Sequence, residues 1–235
     1  MRKIAGQGDL APTRDAYAGE CGAYRFVGDC MGALPPLYLI ADQATCGDQP
    51  MLDVLERALD AGVRLVQLRE KALDRAALMR VAEDVLVLTA RYEAALVINT
   101  AADLAVQIGA QGVHLPSHGS PKAIREQFDS PLLIGYSAHS HAELDNAGGA
   151  DFVTYSPVFT PGSKPGYDGS EVGVDGLQDA VNYTPLSVYA LGGITPARVV
   201  ACRKTGCVGV AVMSGILAAD DPARAVCEFL KAWES

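Results

Sequence analysis

An amide and two cations lie close together in the chain, in a pattern that suits an anion-binding site. Gln67, Arg69 and Lys71 are spaced two residues apart at the end of a short apolar run, and alternate residues of a strand point to the same side. An inward-facing arginine beside an amide is costly to bury unless it meets a negative charge. The spacing predicts an anion site, with a strand-end ion pair between Arg69 and Glu70 as the alternative.

Glycine-rich turns form a second candidate site for an anion. Gly192 and Gly193 follow one apolar run, and Ser214 and Gly215 follow the next one. Glycines allow backbone N–H groups to approach an anion closely, and the start of a helix adds a favourable dipole. The two turns together predict a phosphate site.

Histidine supplies the candidate for proton transfer. His139 lies in segment 135–140, after a predicted strand, and an imidazole titrates near neutrality, so it can act as an acid or a base. A hydrogen-bonded bystander is the alternative for this residue. His118 and His141 suit the protein surface, and His114, which lies inside a predicted strand, suits structural packing.

A long loop, 156–167, is rich in glycine, proline and serine and carries one cation, Lys164. This composition predicts a flexible lid that brings Lys164 to the site. A solvated loop without a function is the alternative.

The segments that position these residues alternate between short buried runs and helical periods. Continuous apolar runs are typical of buried parallel strands, and apolar residues three or four apart are typical of helices. The predicted strands are 37–40, 65–68, 95–98, 112–115, 132–134, 152–155, 187–190 and 208–211. The predicted helices are 52–63, 78–88, 102–108, 121–128, 141–147, 174–181, 196–202 and 222–233.

Eight strand-then-helix units predict an α/β fold, a compact (β/α)8 TIM barrel, with the active site at the carboxyl ends of its strands. The barrel domain is predicted over 36–235, and 1–35 is predicted to be an N-terminal extension. An open doubly wound sheet is the alternative. Its Gly-x-Gly-x-x-Gly fingerprint is absent after the first strand, where Ile40-Ala41-Asp42 follows.

Composition excludes several classes of function. The chain of 235 residues has 28 acidic and 19 basic side chains and a net charge of -9, which argues against a nucleic acid or an anionic membrane as its partner. No apolar stretch reaches the roughly 18 residues of a membrane helix, and no signal peptide is recognisable. Six cysteines without a Cys-x-x-Cys pair suit reduced thiols in a cytoplasmic protein. The prediction is a cytoplasmic protein with a small-molecule ligand, and a homo-oligomer remains open.

In combination, these segments resemble the family of thiamin phosphate synthase and the TenI-type thiazole tautomerase. The likeness covers about 36–233, and the segments that carry it are 37–40, 67–71, 112–115, 134–140, 191–194 and 210–216. The resemblance implies a barrel enzyme of thiamin biosynthesis that acts on a phosphorylated thiazole. It also implies these substrate and phosphate ligands: Gln67, Arg69, Lys71, Asn99, Ser137, Lys164, Gly192, Gly193, Ser214 and Gly215.

Two departures from the synthase pattern concern its metal. Synthases of this family carry Asn-Asp after the third strand and an acidic residue after the fourth, and these aspartates hold Mg²⁺ on the diphosphate. Here the corresponding segments are Asn99-Thr100 and 115–119, neither of which contains a carboxylate. Because magnesium prefers carboxylate oxygens, the prediction is no metal and no cofactor, with Mg²⁺ expected only in a synthase.

Three functions follow from the resemblance. The leading interpretation is a thiazole tautomerase, in which His139 moves a proton to aromatise a carboxylated dihydrothiazole phosphate. The alternative is thiamin phosphate synthase, which joins an aminopyrimidine diphosphate to a thiazole phosphate and releases pyrophosphate. It is favoured by the retained segment 67–71. A further alternative is a non-catalytic binder of a phosphorylated ligand, since fold does not determine function.

Overall fold

Eight parallel strands close into a barrel in chain order, in a computed structural model that describes residues 33–160 and 171–235. The first strand pairs with the second and with the eighth, so the sheet has no open edge. This confirms the predicted barrel and excludes the open sheet. The strands are β1 Leu37–Ala41, β2 Leu65–Leu68, β3 Ala95–Asn99, β4 Gly112–Leu115, β5 Leu133–Ala138, β6 Phe152–Tyr155, β7 Ser187–Leu191 and β8 Gly209–Val212.

Helices between the strands cover the outside of the barrel. Those in the described ranges are α1 Met51–Asp60, α2 Arg75–Arg91, α3 Ala102–Ile108, α4 Pro121–Gln127, α5 His141–Asp145, α6 Gly173–Tyr183, α7 Pro196–Arg203, α8 Ser214–Leu217 and α9 Pro222–Glu234. A 3-10 helix, Gln43–Cys46, follows β1. Pro121, Pro196 and Pro222 occupy first helical turns, as predicted, because proline has no N–H to leave unpaired there. No helix in the described ranges is long and apolar enough to cross a membrane.

Aromatic rings fill the interior of the barrel. Tyr38, Phe152 and Tyr189 come from three different strands, and their ring centroids lie 5.4–5.5 Å apart. The His114 ring packs 5.7 Å from that of Phe152. Gly135 makes room for these rings, since a Cβ atom there would lie 2.4 Å from His114 Nδ1 and 2.5 Å from the Phe152 ring. A glycine on β5 is thus required by packing.

The fifth strand is longer than its apolar run predicts. The run covers 132–134, whereas the strand extends from Leu133 to Ala138, so Ser137 lies on a strand rather than in a loop. Glycine, serine and tyrosine in this segment have the composition of a turn. Pairing with both neighbouring strands nevertheless keeps it extended, with Gly135 opposite His114 and Ser137 opposite Thr154.

One short helix was not predicted, and two predicted features lie outside the described residues. The short helix α8, Ser214–Leu217, has no counterpart among the predicted helices, because a single turn is too short to show a helical period. The predicted extension, 1–35, falls outside the described residues except for its last three positions, and Lys164 also lies outside them.

Candidate active site

A cavity of about 700 Å³ opens at the carboxyl ends of the strands. This is where the active site of such a barrel is expected. Every predicted site residue that lies in the described ranges lines this cavity. These residues are Gln67, Arg69, Lys71, Asn99, Ser137, His139, Gly192, Gly193, Ser214 and Gly215.

The described lining of the cavity contains cations and no carboxylate. Arg69 is partly buried and Lys71 is exposed, and both border the cavity on the side of β2. Glu70, the alternative partner of Arg69, accepts a hydrogen bond from the backbone N–H of Gln43 at 2.6 Å. In a chain whose net charge is -9, this lining creates a local preference for an anion.

The turn after β7 is held in a tight conformation beside the cavity. Gly192 and Gly193 have φ values of +98° and +61°, and a Cβ atom on Gly193 would lie 2.5 Å from the carbonyl oxygen of Thr160. Arg198 of α7 donates a hydrogen bond to the carbonyl oxygen of Gly193 at 2.6 Å, and its guanidinium lies 4.5 Å from the centre of the Phe159 ring. Backbone N–H groups in such a turn can approach a phosphate closely.

His139 stands at the mouth of the cavity with one ring nitrogen already engaged. Its Nδ1 atom lies 2.7 Å from the backbone carbonyl oxygen of Ser156. A carbonyl oxygen only accepts, so Nδ1 carries the hydrogen, and Nε2 is the basic atom of the neutral ring. The backbone N–H of His139 donates to Glu143 at 2.6 Å, which fixes the start of this turn. The geometry suits proton transfer to or from a ligand.

A buried chain of hydrogen bonds forms the floor of the cavity. Gln67 Nε2 donates to the hydroxyl of Tyr38 at 2.7 Å, and that hydroxyl lies 3.2 Å from His114 Nδ1. The other ring nitrogen of His114 lies 3.0 Å from Ser137 Oγ. Burial, assisted by the positive charge of Arg69, lowers the pKa of His114 to about 3, so its ring is neutral at neutral pH. Burial raises the pKa of Tyr38, which remains a phenol.

Sequence reasoning misses part of this floor. It places Tyr38 only within a strand, and it does not single out Thr154, which is fully buried 3.3 Å from His114 Nε2. One sequence signal could have found these two residues: in β1 and β6 alternate residues face the barrel interior, and Tyr38 and Thr154 occupy such inward positions.

The remaining histidines are exposed, as their positions in the sequence predict. His118 nevertheless borders the cavity, so it faces the candidate site rather than the outer surface of the barrel. His141 stacks on Tyr183 at 4.3 Å, as a surface residue can.

The residues at the synthase metal positions do not fit Mg²⁺. Asn99 Nδ2 donates to Thr100 Oγ1 at 3.0 Å, and the Ser117 carbonyl oxygen accepts from the hydroxyl of Tyr136. Neither turn presents a carboxylate. Within the described ranges, no three histidine, cysteine, aspartate or glutamate side chains come together as a group that could hold a metal ion.

Comparison with known proteins identifies the family. The family model described as thiamine monophosphate synthase matches residues 37–216. The chain belongs to this family. A putative thiamine-phosphate synthase of Geobacter sulfurreducens is 43% identical over 200 residues, which cover 83% of this chain and 93% of that protein. Putative thiamine-phosphate synthase 2 of Aquifex aeolicus is 39% identical over 186 residues, covering 78% and 98%.

A solved structure agrees with this assignment. The thiamine phosphate pyrophosphorylase of Pyrococcus furiosus superposes with a TM-score of 0.76 at 28% identity, covering 84% of this chain and 95% of the other. The resemblance to the thiamin phosphate synthase and TenI family is thereby confirmed, and the chain is an enzyme of thiamin biosynthesis. The names of these relatives do not support the tautomerase interpretation and fit the synthase alternative better.

Proposed function

We propose that this protein is a thiamin-phosphate synthase, which joins an aminopyrimidine diphosphate to a thiazole phosphate and releases pyrophosphate. One observation carries the proposal: two separate groups of candidate anion-binding residues line the same cavity. Arg69 and Lys71 belong to the β2 side. The turn at 192–193 follows β7, and Ser214 and Gly215, at the start of α8, follow β8. Two phosphorylated substrates require two such subsites.

The barrel order separates the two groups by a suitable distance. β1 pairs with both β2 and β8, so one strand lies between the cations and the start of α8 at 214–215. Two strand spacings amount to about 10 Å. The cavity volume of about 700 Å³ lies within the range of small-molecule sites, roughly 300–1,000 Å³. The space therefore suits two small substrates side by side.

The cations have the role of accepting the leaving diphosphate. Arg69 can meet two phosphate oxygens with its planar guanidinium, and Lys71 supplies a second positive charge at the exposed rim. By family resemblance, Lys164 adds a third charge and Asn99 contacts substrate. The chemistry that we assign to this side of the cavity is stabilisation of negative charge as pyrophosphate departs.

A direct assay tests the synthase. Purified protein is mixed with the pyrimidine diphosphate and the thiazole phosphate, with and without Mg²⁺, and thiamin phosphate is measured. We expect product from the wild type and a large loss for Arg69→Gln. The matched control is Arg75→Gln, because Arg75 is an exposed arginine paired with Asp103 on the outer helices. Absence of thiamin phosphate under all magnesium concentrations would refute the proposal.

The second candidate function is the thiazole tautomerase. Two features favour it: the Nε2 atom of His139 at the cavity, which has no hydrogen-bonding partner among the described residues, and a described lining without carboxylates, because that reaction moves a proton and needs no metal. The test offers the wild type a carboxylated dihydrothiazole phosphate and follows the appearance of the aromatic thiazole. Turnover with this substrate and none with the synthase substrates would reverse the order of the two candidates.

A further inference from the structure

The hydrogen bonds beneath the cavity have a definite direction, which begins at Gln67. Gln67 Nε2 is a donor, so the Tyr38 oxygen accepts its hydrogen at 2.7 Å. Within the described ranges, the other hydrogen-bonding partner of the Tyr38 hydroxyl is His114 Nδ1, at 3.2 Å. Tyr38 is completely buried, and a buried hydroxyl whose hydrogen has no acceptor is destabilising. The phenol hydrogen is therefore donated to Nδ1.

This direction determines the tautomer of His114. The ring is 3% exposed and neutral, so it carries one hydrogen. Because Nδ1 accepts from Tyr38, that hydrogen is on Nε2. Nε2 lies 3.0 Å from Ser137 Oγ and 3.3 Å from Thr154 Oγ1, which makes the Ser137 oxygen the closer acceptor.

Among the described residues, Ser137 is the end of the chain of hydrogen bonds. Its oxygen accepts from His114, which leaves its own hydroxyl hydrogen to be donated elsewhere. The side chain is partly exposed and lines the cavity. We propose that Tyr38 and His114 are positioning residues: they hold the Ser137 hydroxyl so that its hydrogen is donated to an oxygen atom of an anionic substrate. The inference rests on the proposed function in taking a diphosphate as that anion.

The first test reads the tautomer directly. Long-range ¹H–¹⁵N NMR spectra of the neutral protein distinguish a protonated from an unprotonated ring nitrogen, and His114→Gln identifies the signals among the 4 histidines. We expect hydrogen on Nε2 and a bare Nδ1 in the wild type. In Tyr38→Phe, the donor to Nδ1 is gone, and we expect hydrogen on Nδ1 to become populated. Hydrogen on Nδ1 in the wild type would overturn the proposal.

The second test measures coupling, with inorganic pyrophosphate as the probe. Its affinity is measured by calorimetry for the wild type, Tyr38→Phe, Ser137→Ala and the double variant. A lost hydrogen bond to a charged group predicts a roughly 10- to 100-fold weaker affinity for Ser137→Ala, and about three- to tenfold for Tyr38→Phe. In the Ser137→Ala background, Tyr38→Phe should change affinity less than about twofold, because it acts through Ser137.

Tyr189→Phe is the matched control. Tyr189 packs against the Tyr38 ring at 5.5 Å, but its hydroxyl donates to the carbonyl oxygen of Pro35, outside the chain of hydrogen bonds. The same chemical change in the same core should therefore leave pyrophosphate affinity unaltered. Three results would contradict the inference. The first is a loss of pyrophosphate affinity in Tyr189→Phe equal to that in Tyr38→Phe. The second is an effect of Tyr38→Phe on affinity that is as large in the Ser137→Ala background as in the wild type, and the third is a wild type that does not bind pyrophosphate. The synthase assay is independent of these readouts, so the proposed function can fail while the coupling holds.

Discussion

The Nδ1 atom of His139 lies 2.7 Å from the backbone carbonyl oxygen of Ser156, the residue that follows β6. This contact joins the ends of two neighbouring strands and fixes both the orientation and the tautomer of the ring. Within 33–160 and 171–235, the basic Nε2 atom has no hydrogen-bonding partner, so in this part of the chain it is available at the cavity. His139 can take part in proton transfer. The tautomerase reaction requires this proton transfer, and the synthase reaction does not.

Replacement of His139 by asparagine separates these functions. The amide group that His139→Asn introduces could still donate to the Ser156 carbonyl oxygen, but it has no basic nitrogen. Tautomerisation, if the protein performs it, should fall by roughly 10²- to 10⁴-fold, the usual loss for a missing acid or base. Synthase turnover should fall by a much smaller factor, because the synthase reaction that we propose does not use the His139 ring to transfer a proton. Both rates are measured on the same preparations.

His141→Asn is the control for this substitution, because His141 is exposed and stacks on Tyr183 at 4.3 Å. We expect it to leave both rates unchanged. Tautomerase turnover in the His139 variant equal to that of the wild type would exclude His139 as the proton carrier.

Buried His114 should make the protein sensitive to acid. Its pKa is about 3 in the folded state and about 6.5 in an unfolded chain. Between these values the unfolded state binds one more proton, so the unfolding free energy falls as pH falls, by about 1.4 kcal/mol per pH unit from this group. Urea unfolding at pH 7, 6, 5 and 4 measures the slope. His114→Gln should be less stable at pH 7 but have a shallower dependence on pH.

The comparison variant for this experiment is His118→Gln, which replaces an exposed histidine at the rim. Its pH dependence should follow that of the wild type. Identical slopes for the wild type and His114→Gln would show that His114 does not titrate as the burial of its ring requires.

Gly193 should not tolerate a side chain. Alanine there would place Cβ 2.5 Å from the Thr160 carbonyl oxygen, at a φ of +61°. We expect Gly193→Ala to lose about 1–3 kcal/mol of stability, because strained backbone and displaced neighbours both contribute. The affinity for thiazole phosphate should fall about tenfold or more, since the turn that offers its N–H groups must move. Chemical denaturation and calorimetry measure the two effects.

Gly109→Ala provides the matched control for backbone strain. Gly109 has a φ of +75° at the end of α3, and a Cβ atom there would meet nothing within 4 Å. It should lose about 1 kcal/mol of stability from the backbone alone and bind thiazole phosphate normally. Equal affinities in the two variants would argue against a role for the turn at 192–193 in phosphate binding.

Substitution of Thr100 tests whether an aspartate at this position, where synthases of the family carry one, would allow Mg²⁺ to bind. It has a φ of +68°, where a β-branched residue is unfavourable and asparagine or aspartate is tolerated. Thr100→Asn and Thr100→Asp should both be slightly more stable than the wild type, as chemical denaturation would show. Only the aspartate adds a carboxylate, so only this variant should bind pyrophosphate more tightly when Mg²⁺ is added. Calorimetry with and without Mg²⁺ measures the difference, and an equal response in both variants would contradict it.

The sequence by itself determined the repeating architecture and the polar residues that give the cavity its preference for an anion. Buried apolar runs and helical periods are local properties, and eight of each in alternation leave few folds available. Gln67, Arg69 and the turn at 192–193 could be placed at the cavity because a parallel barrel brings all carboxyl strand ends to one face. The local sequence pattern and this single topological rule were sufficient to place these residues at the cavity.

Only the tertiary structure decided which of these residues touch. Tyr38 and His114 are 76 residues apart, and their contact depends on ring packing inside the closed barrel. Ser137 lies on a strand because β6 pairs with it and β4 pairs with the residues just before it, against the composition of its own segment. Register and closure are set by cooperative pairing of distant strands. For that reason, the hydrogen-bond direction beneath the cavity and the tautomers of His114 and His139 could not be predicted from local sequence.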